Sequence, residues 1–380
     1  MGLNKKSRHG RFLKSCEVGF KSVVFRLFRL LGGFKKARGE FDPQRINKVL
    51  FIRYDKLGDM VVSLPIFHNL KKHYPHIRID VVCGKDNYDI VRTDPHITKA
   101  YYYKKKPLRD LKDIMRMRRE KYDCVVHLIY GASVTAIILV ALIAGKRFKF
   151  GVGKKEYAKY FDKTIEPERY KEHVITGAGK ALNLFGIDLK DCDMTPHLYL
   201  EDKDFKIGYE FIGALKRKYS AVVAINLSAG QARRIWPLEK YCVLIEFLLD
   251  AYPEWVFVLT YAPSDRWRAD KVLEKFGSRV VPVPMGMNIR QVAGTMKYLD
   301  FLITPDTSLT HLASAFDLPS LVMFDADENH YAEWGPYSPK IRMIRSNHIV
   351  LLEPIKPREM FDAFNQMVSE ERVGKHEKAR

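Results

Sequence analysis

From Lys48 to Phe324, short runs rich in β-branched and aromatic residues alternate with stretches of helical periodicity, and the alternation runs through twice. The first pass reads strand Lys48–Arg53, helix Met60–Tyr74, strands Ile77–Val82 and Lys99–Tyr103, helix Leu108–Arg119, strand Asp123–Ile129, helix Val134–Ala144 and strand Arg147–Gly151. A less regular helical stretch occupies residues 170–218. The second pass then supplies strands Ala221–Leu227, Val256–Thr260, Val280–Val283, Phe301–Thr304 and Ser320–Phe324. Helices Leu238–Asp250, Asp265–Phe276, Ile289–Lys297 and Ser308–Phe316 separate them. Strands alternating with helices predict parallel sheets covered on both faces. Two passes predict an α/β chain of two Rossmann-like, doubly wound domains facing a cleft, over residues 41–200 and 201–380.

The segment before the first strand obeys a different rule. Residues 1–39 hold eleven Lys and Arg against Glu17 alone, a net of +10 out of +20 for all 380 residues. Phe20, Val23, Val24, Leu27, Leu31 and Phe34 recur at helical spacing, with Lys21, Arg26 and Arg29 between them. A basic amphipathic helix over residues 1–40 is expected, lying on an anionic membrane surface with its cations among the headgroups. Packing on the protein body is the other outcome of the same pattern. The stretch Cys124–Gly145, free of Asp, Glu, Lys and Arg, has the length of a membrane span. However, Tyr130-Gly131-Ala132-Ser133 divides it, and the eleven residues after the break reach only about 17 Å as a helix. A buried strand followed by a buried helix is predicted instead.

Five scattered cysteines (Cys16, Cys83, Cys124, Cys192 and Cys242) form no CxxC or other metal-ligand spacing, so reduced cytoplasmic thiols and no metal site are expected. Missing GxxxxGK[ST] and GxGxxG loops argue against an ATPase or a nicotinamide enzyme. No GxSxG elbow is present. The net charge of +20 selects polyanionic partners, either a phosphorylated glycan and anionic lipid or nucleic acid. No recognised nucleic-acid motif accompanies it, so nucleic acid is not expected as a partner.

Ligands of open α/β sheets sit beyond the carboxyl ends of the strands, which directs attention to four loops. After the first strand, Arg53-Tyr54-Asp55-Lys56-Leu57-Gly58-Asp59 offers Asp59 either as a helix cap or as a carboxylate that takes a proton from an incoming hydroxyl. The Leu227–Pro237 loop combines small residues, including Ser228 and Gly230, with Arg233 and Arg234, a combination suited to an anion. Asp265, after a strand of the second half, is placed either to hydrogen-bond a ribose or to cap a helix. In Ile303–Leu312 a strand gives way to a helix start, a seat for a diphosphate, with Asp306, Thr307, Ser308 and His311 at hand. Capping and a buried, hydrogen-bonded histidine are the structural alternatives there. Lys104, Lys105, Lys106 and Arg109 open a basic cluster continuing through Lys112, Arg116, Arg118 and Arg119.

Taken together, Lys48–Arg53 with Leu57-Gly58-Asp59, Tyr122–Leu128, Trp236-Pro237 and Asp306-Thr307-Ser308-Leu309-Thr310-His311-Leu312-Ala313 resemble glycosyltransferase family 9, the ADP-heptose:lipopolysaccharide heptosyltransferases. The resemblance spans about residues 47–340. It implies a GT-B fold and an inverting, metal-independent transfer of heptose from ADP-heptose to the inner core of lipopolysaccharide, with no cofactor. By matching position it implies Asp59 as the catalytic base and Arg234 near the donor phosphates. Asp265 would lie at the ribose, Met287 at the adenine, and Asp306, Thr307, Ser308 and His311 at the heptose and diphosphate. Ser308 stands where that motif commonly has glycine. The cluster Lys104, Lys105, Lys106 and Arg109 would meet the acidic groups of a phosphorylated lipopolysaccharide precursor. A peripheral enzyme on the cytoplasmic face of the inner membrane follows. A transferase of the same fold with another nucleotide sugar or acceptor would share every one of these residues.

Overall fold

The computed structural model describes residues 34–130, 134–335 and 337–378, together with Val23 and Arg26. The expected amphipathic helix of residues 1–40 therefore lies largely outside the described residues. Two units emerge, and each contains one six-stranded, all-parallel sheet.

The first sheet comprises β1 (Lys48–Arg53), β2 (Arg78–Cys83), β3 (Lys99–Tyr102), β4 (Cys124–His127), β5 (Phe148–Val152) and β6 (Lys163–Ile165), in the order β3-β2-β1-β4-β5-β6. Helices α1 (Leu57–Val61), α2 (Leu64–His73), α3 (Tyr88–Val91), α4 (Pro107–Arg119), α5 (Val134–Ala144) and α6 (Val174–Gly179) fall in this half of the chain. The central strands are buried on both faces, which explains why β1 and β4 read as unbroken apolar runs. Leu50, Ile52 and Val125 of the sheet pack with Ile137, Val140 and Ile143 of α5, so the charge-free stretch is a buried strand and a buried helix. Among the described residues no helix is long and apolar enough to cross a membrane.

The second sheet holds β7 (Ala221–Asn226), β8 (Trp255–Thr260), β9 (Val280–Pro282), β10 (Phe301–Pro305), β11 (Ser320–Phe324) and β12 (Ile341–Arg345), ordered β12-β11-β10-β7-β8-β9. Read from its other edge, this is the strand order of the first sheet. Its helices are α7 (Asp202–Lys216), α8 (Leu238–Ala251), α9 (Arg266–Lys275), α10 (Ile289–Met296), α11 (Ser308–Ser314), α12 (Glu328–Trp334) and α13 (Pro357–Lys378). One face packs Val223, Ile225 and Phe257 against Leu244, Leu248 and Phe364. Elsewhere α7 and α10 cross with their backbones touching: a Cβ at Gly294 would stand 2.5 Å from the Asp204 carbonyl oxygen. The buried Asp204 carboxylate, paired with the Arg290 guanidinium, closes the same crossing.

The units are not simple halves of the chain. The first takes Pro65–Pro167 and Thr176–Met194 along with the chain before Leu57. The second takes Leu57–Leu64 and Glu168–Ile175 in addition to everything from Thr195 onward. The helix expected over Met60–Tyr74 is in fact two, α1 and α2, parted at Val62-Ser63. There the Ser63 hydroxyl donates to the Asp59 carbonyl oxygen at 2.8 Å, an i−4 bond of the kind that bends helices. By this grouping Asp59 belongs with the Asp306–His311 segment, in one unit.

Candidate active site

Each sheet reverses its winding direction once, between β1 and β4 in the first and between β7 and β10 in the second. Crevices for ligands form at the carboxyl ends of strands at such points. The loops singled out from sequence after β1, β7 and β10 all leave from there.

In the second unit Asn226, the last residue of β7, ties two of these loops together. Its side-chain amide donates to the Ser228 carbonyl oxygen at 3.0 Å and to Thr304 Oγ1 at 2.9 Å, and its Oδ1 accepts from the Ser228 N–H at 3.1 Å. The Tyr241 hydroxyl donates to the Asn226 carbonyl at 2.8 Å. Ser228 in turn accepts from the Ala262 N–H at 2.8 Å, which brings the loop carrying Asp265 alongside. The Ser228 hydroxyl is thus a brace between loops. Gly230 is open, with nothing within 4 Å of a notional Cβ.

Arg234 is held at the end of β10. Its Nη1 lies 2.7 Å from Asp306 Oδ2, and its Nη2 donates to His330 Nε2 at 2.8 Å. A guanidinium only donates, so His330 Nε2 is the lone-pair nitrogen and its Nδ1–H faces Asp325 Oδ1 at 3.1 Å. The His330 ring stacks on Phe324, with centroids 4.4 Å apart. Arg234 Nε is buried and has no hydrogen-bond partner among the described residues. A buried donor of that kind is costly unless an acceptor arrives, and an anionic oxygen is the strongest acceptor available. Sequence reasoning found Arg234 and Asp306 but missed His330, Asp325 and Asn226. The Asp325-Ala326-Asp327 run after β11 was the available signal, with Asp327 capping α12.

The loop after β1 meets this region through Gly58. α1 packs against α11, and a Cβ on Gly58 would come within 2.7 Å of His311 Cδ2. Only a glycine lets the imidazole lie against this turn. Burial, reinforced by the nearby His173 and Arg234, pushes the His311 pKa down to about 4, while Asp59 opposes the shift. The ring is therefore neutral at physiological pH, and Asp59 is near enough to act on it electrostatically. Trp334 meets the His311 ring edge-on, with centroids 5.6 Å apart. His173 is itself kept neutral by burial, its Nε2 donating to the Gly335 carbonyl at 3.0 Å. Arg169 and the Tyr170 N–H both bond Glu333, fastening the 168–175 segment to α12.

The capping alternatives resolve differently at each carboxylate. Asp59 is the third residue of α1 rather than the residue before it. Thr307, not Asp306, caps α11, its Oγ1 accepting from the Leu309 N–H at 3.3 Å. Ser308 opens α11, with His311 one turn on. Asp265 occupies the cap position of α9, yet its side chain makes no cap hydrogen bond. Met287 is half-buried, next to Gly286 in left-handed conformation (φ +77°).

In the first unit the basic loop is folded by Asp110, whose buried carboxylate accepts the N–H groups of Lys104 at 2.9 Å and Lys106 at 2.7 Å. That leaves the side chains of Lys104, Lys105, Lys106 and Arg109 exposed. Nearer the strand ends lies a buried group that sequence reasoning did not single out. Arg53 donates to the Leu128 carbonyl at 2.7 Å and pairs with Asp55 at 3.2 Å, and the Lys154 ammonium bonds the Ile129 carbonyl. Burial brings the Lys154 pKa down to about 7. His127, fully buried at the end of β4, is held neutral by desolvation and by these two cations.

Comparison with known proteins adds to this geometry. The family profile for glycosyltransferase family 9 (heptosyltransferase) matches residues 111–355. The chain is 23% identical over 298 residues to a lipopolysaccharide heptosyltransferase 1 of Campylobacter coli, covering 74% of this chain and 85% of that protein. Among solved structures, a family 9 glycosyl transferase from Veillonella parvula superposes with a TM-score of 0.74 at 15% identity, covering 87% of this chain and 99% of the other. The E. coli ADP-heptose lipopolysaccharide heptosyltransferase II follows at a TM-score of 0.69 and 19% identity, with 86% and 99% covered. These structures share the two-domain GT-B fold that the family resemblance implied, in keeping with the two Rossmann-like domains read from the strand rhythm.

Proposed function

Because the chain belongs to glycosyltransferase family 9 and is a glycosyltransferase, we propose that it moves heptose from ADP-heptose to the inner core of lipopolysaccharide in one inverting step that needs no metal ion. The acceptor hydroxyl oxygen attacks the anomeric carbon of the heptose. As that C–O bond forms, the bond from the anomeric carbon to the diphosphate oxygen breaks, and ADP leaves with the electron pair. Asp59 takes the hydroxyl proton. Arg234, with its buried Nε facing no acceptor of its own, stabilises the charge growing on the diphosphate. The polar turn Asp306, Thr307 and Ser308 and the neutral His311 line the sugar and phosphates, Asp265 binds the ribose and Met287 packs on adenine.

The observation that carries this reading is the contact between Gly58 and His311, which brings the Asp59 turn onto the segment proposed to hold the sugar diphosphate. The exposed Lys104, Lys105, Lys106 and Arg109 suit the phosphates and carboxylates of an inner-core acceptor. The basic residues 1–40 suit the anionic inner face of the inner membrane, to which the enzyme would attach peripherally.

The test is ADP release from ADP-heptose in the presence of lipopolysaccharide acceptors of graded truncation. Acceptor-dependent release supports the proposal, and the shortest acceptor used identifies the step. Release only from a different nucleotide sugar moves the donor specificity, and silence with every donor overturns the reading.

A further inference from the structure

We propose that His68, Asp94 and His96 form a binding site for a divalent transition-metal ion of the zinc class in the first unit. His68 lies in α2, while Asp94 and His96 sit on the turn that leads into β3. One donor atom from each residue falls within 4.8 Å of the others. His68 Nε2 is 2.7 Å from Asp94 Oδ2, and His96 Nδ1 is 3.0 Å from Asp94 Oδ1. A tetrahedral ion with bonds of about 2.0–2.1 Å holds its donors roughly 3.3 Å apart, so small side-chain rotations suffice to admit one.

The surroundings prepare the donors for that role. The Asp94 side chain is 1% exposed, against 13% for His68 and 27% for His96, so the carboxylate lies inside and the imidazoles face outward. The turn is fixed by the Ile97 N–H bonding to the Asp94 carbonyl at 3.0 Å, with Pro95 between the two ligands. The His96 N–H also bonds Asp94 Oδ1 at 2.9 Å, orienting the carboxylate. The two imidazole rings are 4.4 Å apart between centroids. Both imidazoles can bind a metal through a ring nitrogen, and the carboxylate between them supplies negative charge to a divalent ion. Two nitrogens and one oxygen favour Zn²⁺, Co²⁺ or Ni²⁺ over the all-oxygen preference of Ca²⁺ and Mg²⁺.

Such an ion would clamp α2 to the turn before β3, at the amino end of that strand, whereas the loops of the proposed transfer leave from carboxyl ends. Its expected role is to brace the first unit. Calorimetric titration of chelator-treated full-length protein with ZnCl₂ is the test, with the visible spectrum of the Co²⁺ form as a second readout. One ion per chain at micromolar affinity or better is expected, together with a zinc-dependent rise in Tm. His68→Ala and His96→Ala should each weaken binding at least tenfold. His96 sits on a surface turn, so its variant keeps the test valid even if changes at Asp94 disturb folding. His330→Ala should leave the affinity unchanged. Wild-type protein that binds zinc no more tightly than the His68→Ala/His96→Ala double variant overturns the proposal, as does binding lost with His330 instead.

Discussion

The backbone of Gly58 and the imidazole of His311 are in such close approach that one added methyl group would stand 2.7 Å from His311 Cδ2. Gly58→Ala must therefore displace either the ring or the turn. Overpacking of this kind costs about 1–3 kcal/mol, and here the displaced groups include Asp59. Turnover in the ADP-release assay is expected to fall more than tenfold, with a drop of a few degrees in Tm. Gly230→Ala is the control: its Cβ meets nothing within 4 Å, and Tm should not move.

Asp59→Ala removes the proposed base while leaving the groups assigned to the nucleotide in place. Loss of general-base catalysis typically costs about 10²–10⁴ in rate. Turnover should drop by that order, with the Kd for ADP-heptose by isothermal titration changed no more than a few-fold. Retained turnover would remove Asp59 from its role.

Arg234 and His330 share one hydrogen bond but should differ in consequence. Arg234→Lys loses the planar fork that spans Asp306 and His330 and still presents an anion with a donor. ADP affinity is expected to fall about tenfold or more. His330→Ala frees one side of the guanidinium and should raise KM for the donor by a smaller factor, with less effect on kcat. Titration with ADP and donor-dependence kinetics separate the two.

Stability should fall as the medium is acidified, and His311 contributes to the slope. Its folded pKa of about 4 lies below the usual histidine value. Between pH 6.5 and 4 the unfolded chain therefore takes up a proton that the folded chain refuses, and stability is lost across that window as pH falls. The contribution is about 1–3 kcal/mol. Urea midpoints from pH 7.5 to 4.5 should decline less steeply for His311→Gln than for the wild type.

Asp204→Ala tests the α7–α10 crossing. It removes the carboxylate that bonds the fully buried Arg290 guanidinium at Nε, 2.8 Å away, and leaves the longer ion pair to Glu201 at 3.7 Å. Removing one partner of a buried ion pair costs about 3–5 kcal/mol, and urea unfolding should register a lower midpoint, with the Glu201 pair softening the loss.

The sequence carried the strand rhythm because central parallel strands are buried on both faces and read as unbroken apolar runs, as in Ala221–Asn226. Two of the four edge strands escaped for the opposite reason, while Lys99–Tyr102 and Val280–Pro282 were legible. Lys163–Ile165 has only three residues, and Ile341–Arg345 is half-exposed and carries two arginines. The break between α1 and α2 depends on a single hydroxyl, which periodicity does not report. At the site, Asp59, Arg234 and Asp306 were legible as polar residues in loops after strands. His330 was not, because its role comes from a guanidinium 96 positions away. The proposed His68 cluster is invisible to spacing patterns for the same reason, since its carboxylate neighbour lies 26 residues on, in a turn.

The assignment of Leu57–Leu64 to the second unit bears on how the chain is made. Met60 and Val61 end with no exposure at all, yet α11, against which their helix α1 packs, lies some 250 residues further along. At about 5–20 residues per second, a ribosome needs roughly 12–50 s to deliver it. For that interval an apolar pair next to the proposed base must wait without that helix. It is then a natural handle for a chaperone, and the nascent chain becomes competent only when its late-made half returns to cover its beginning.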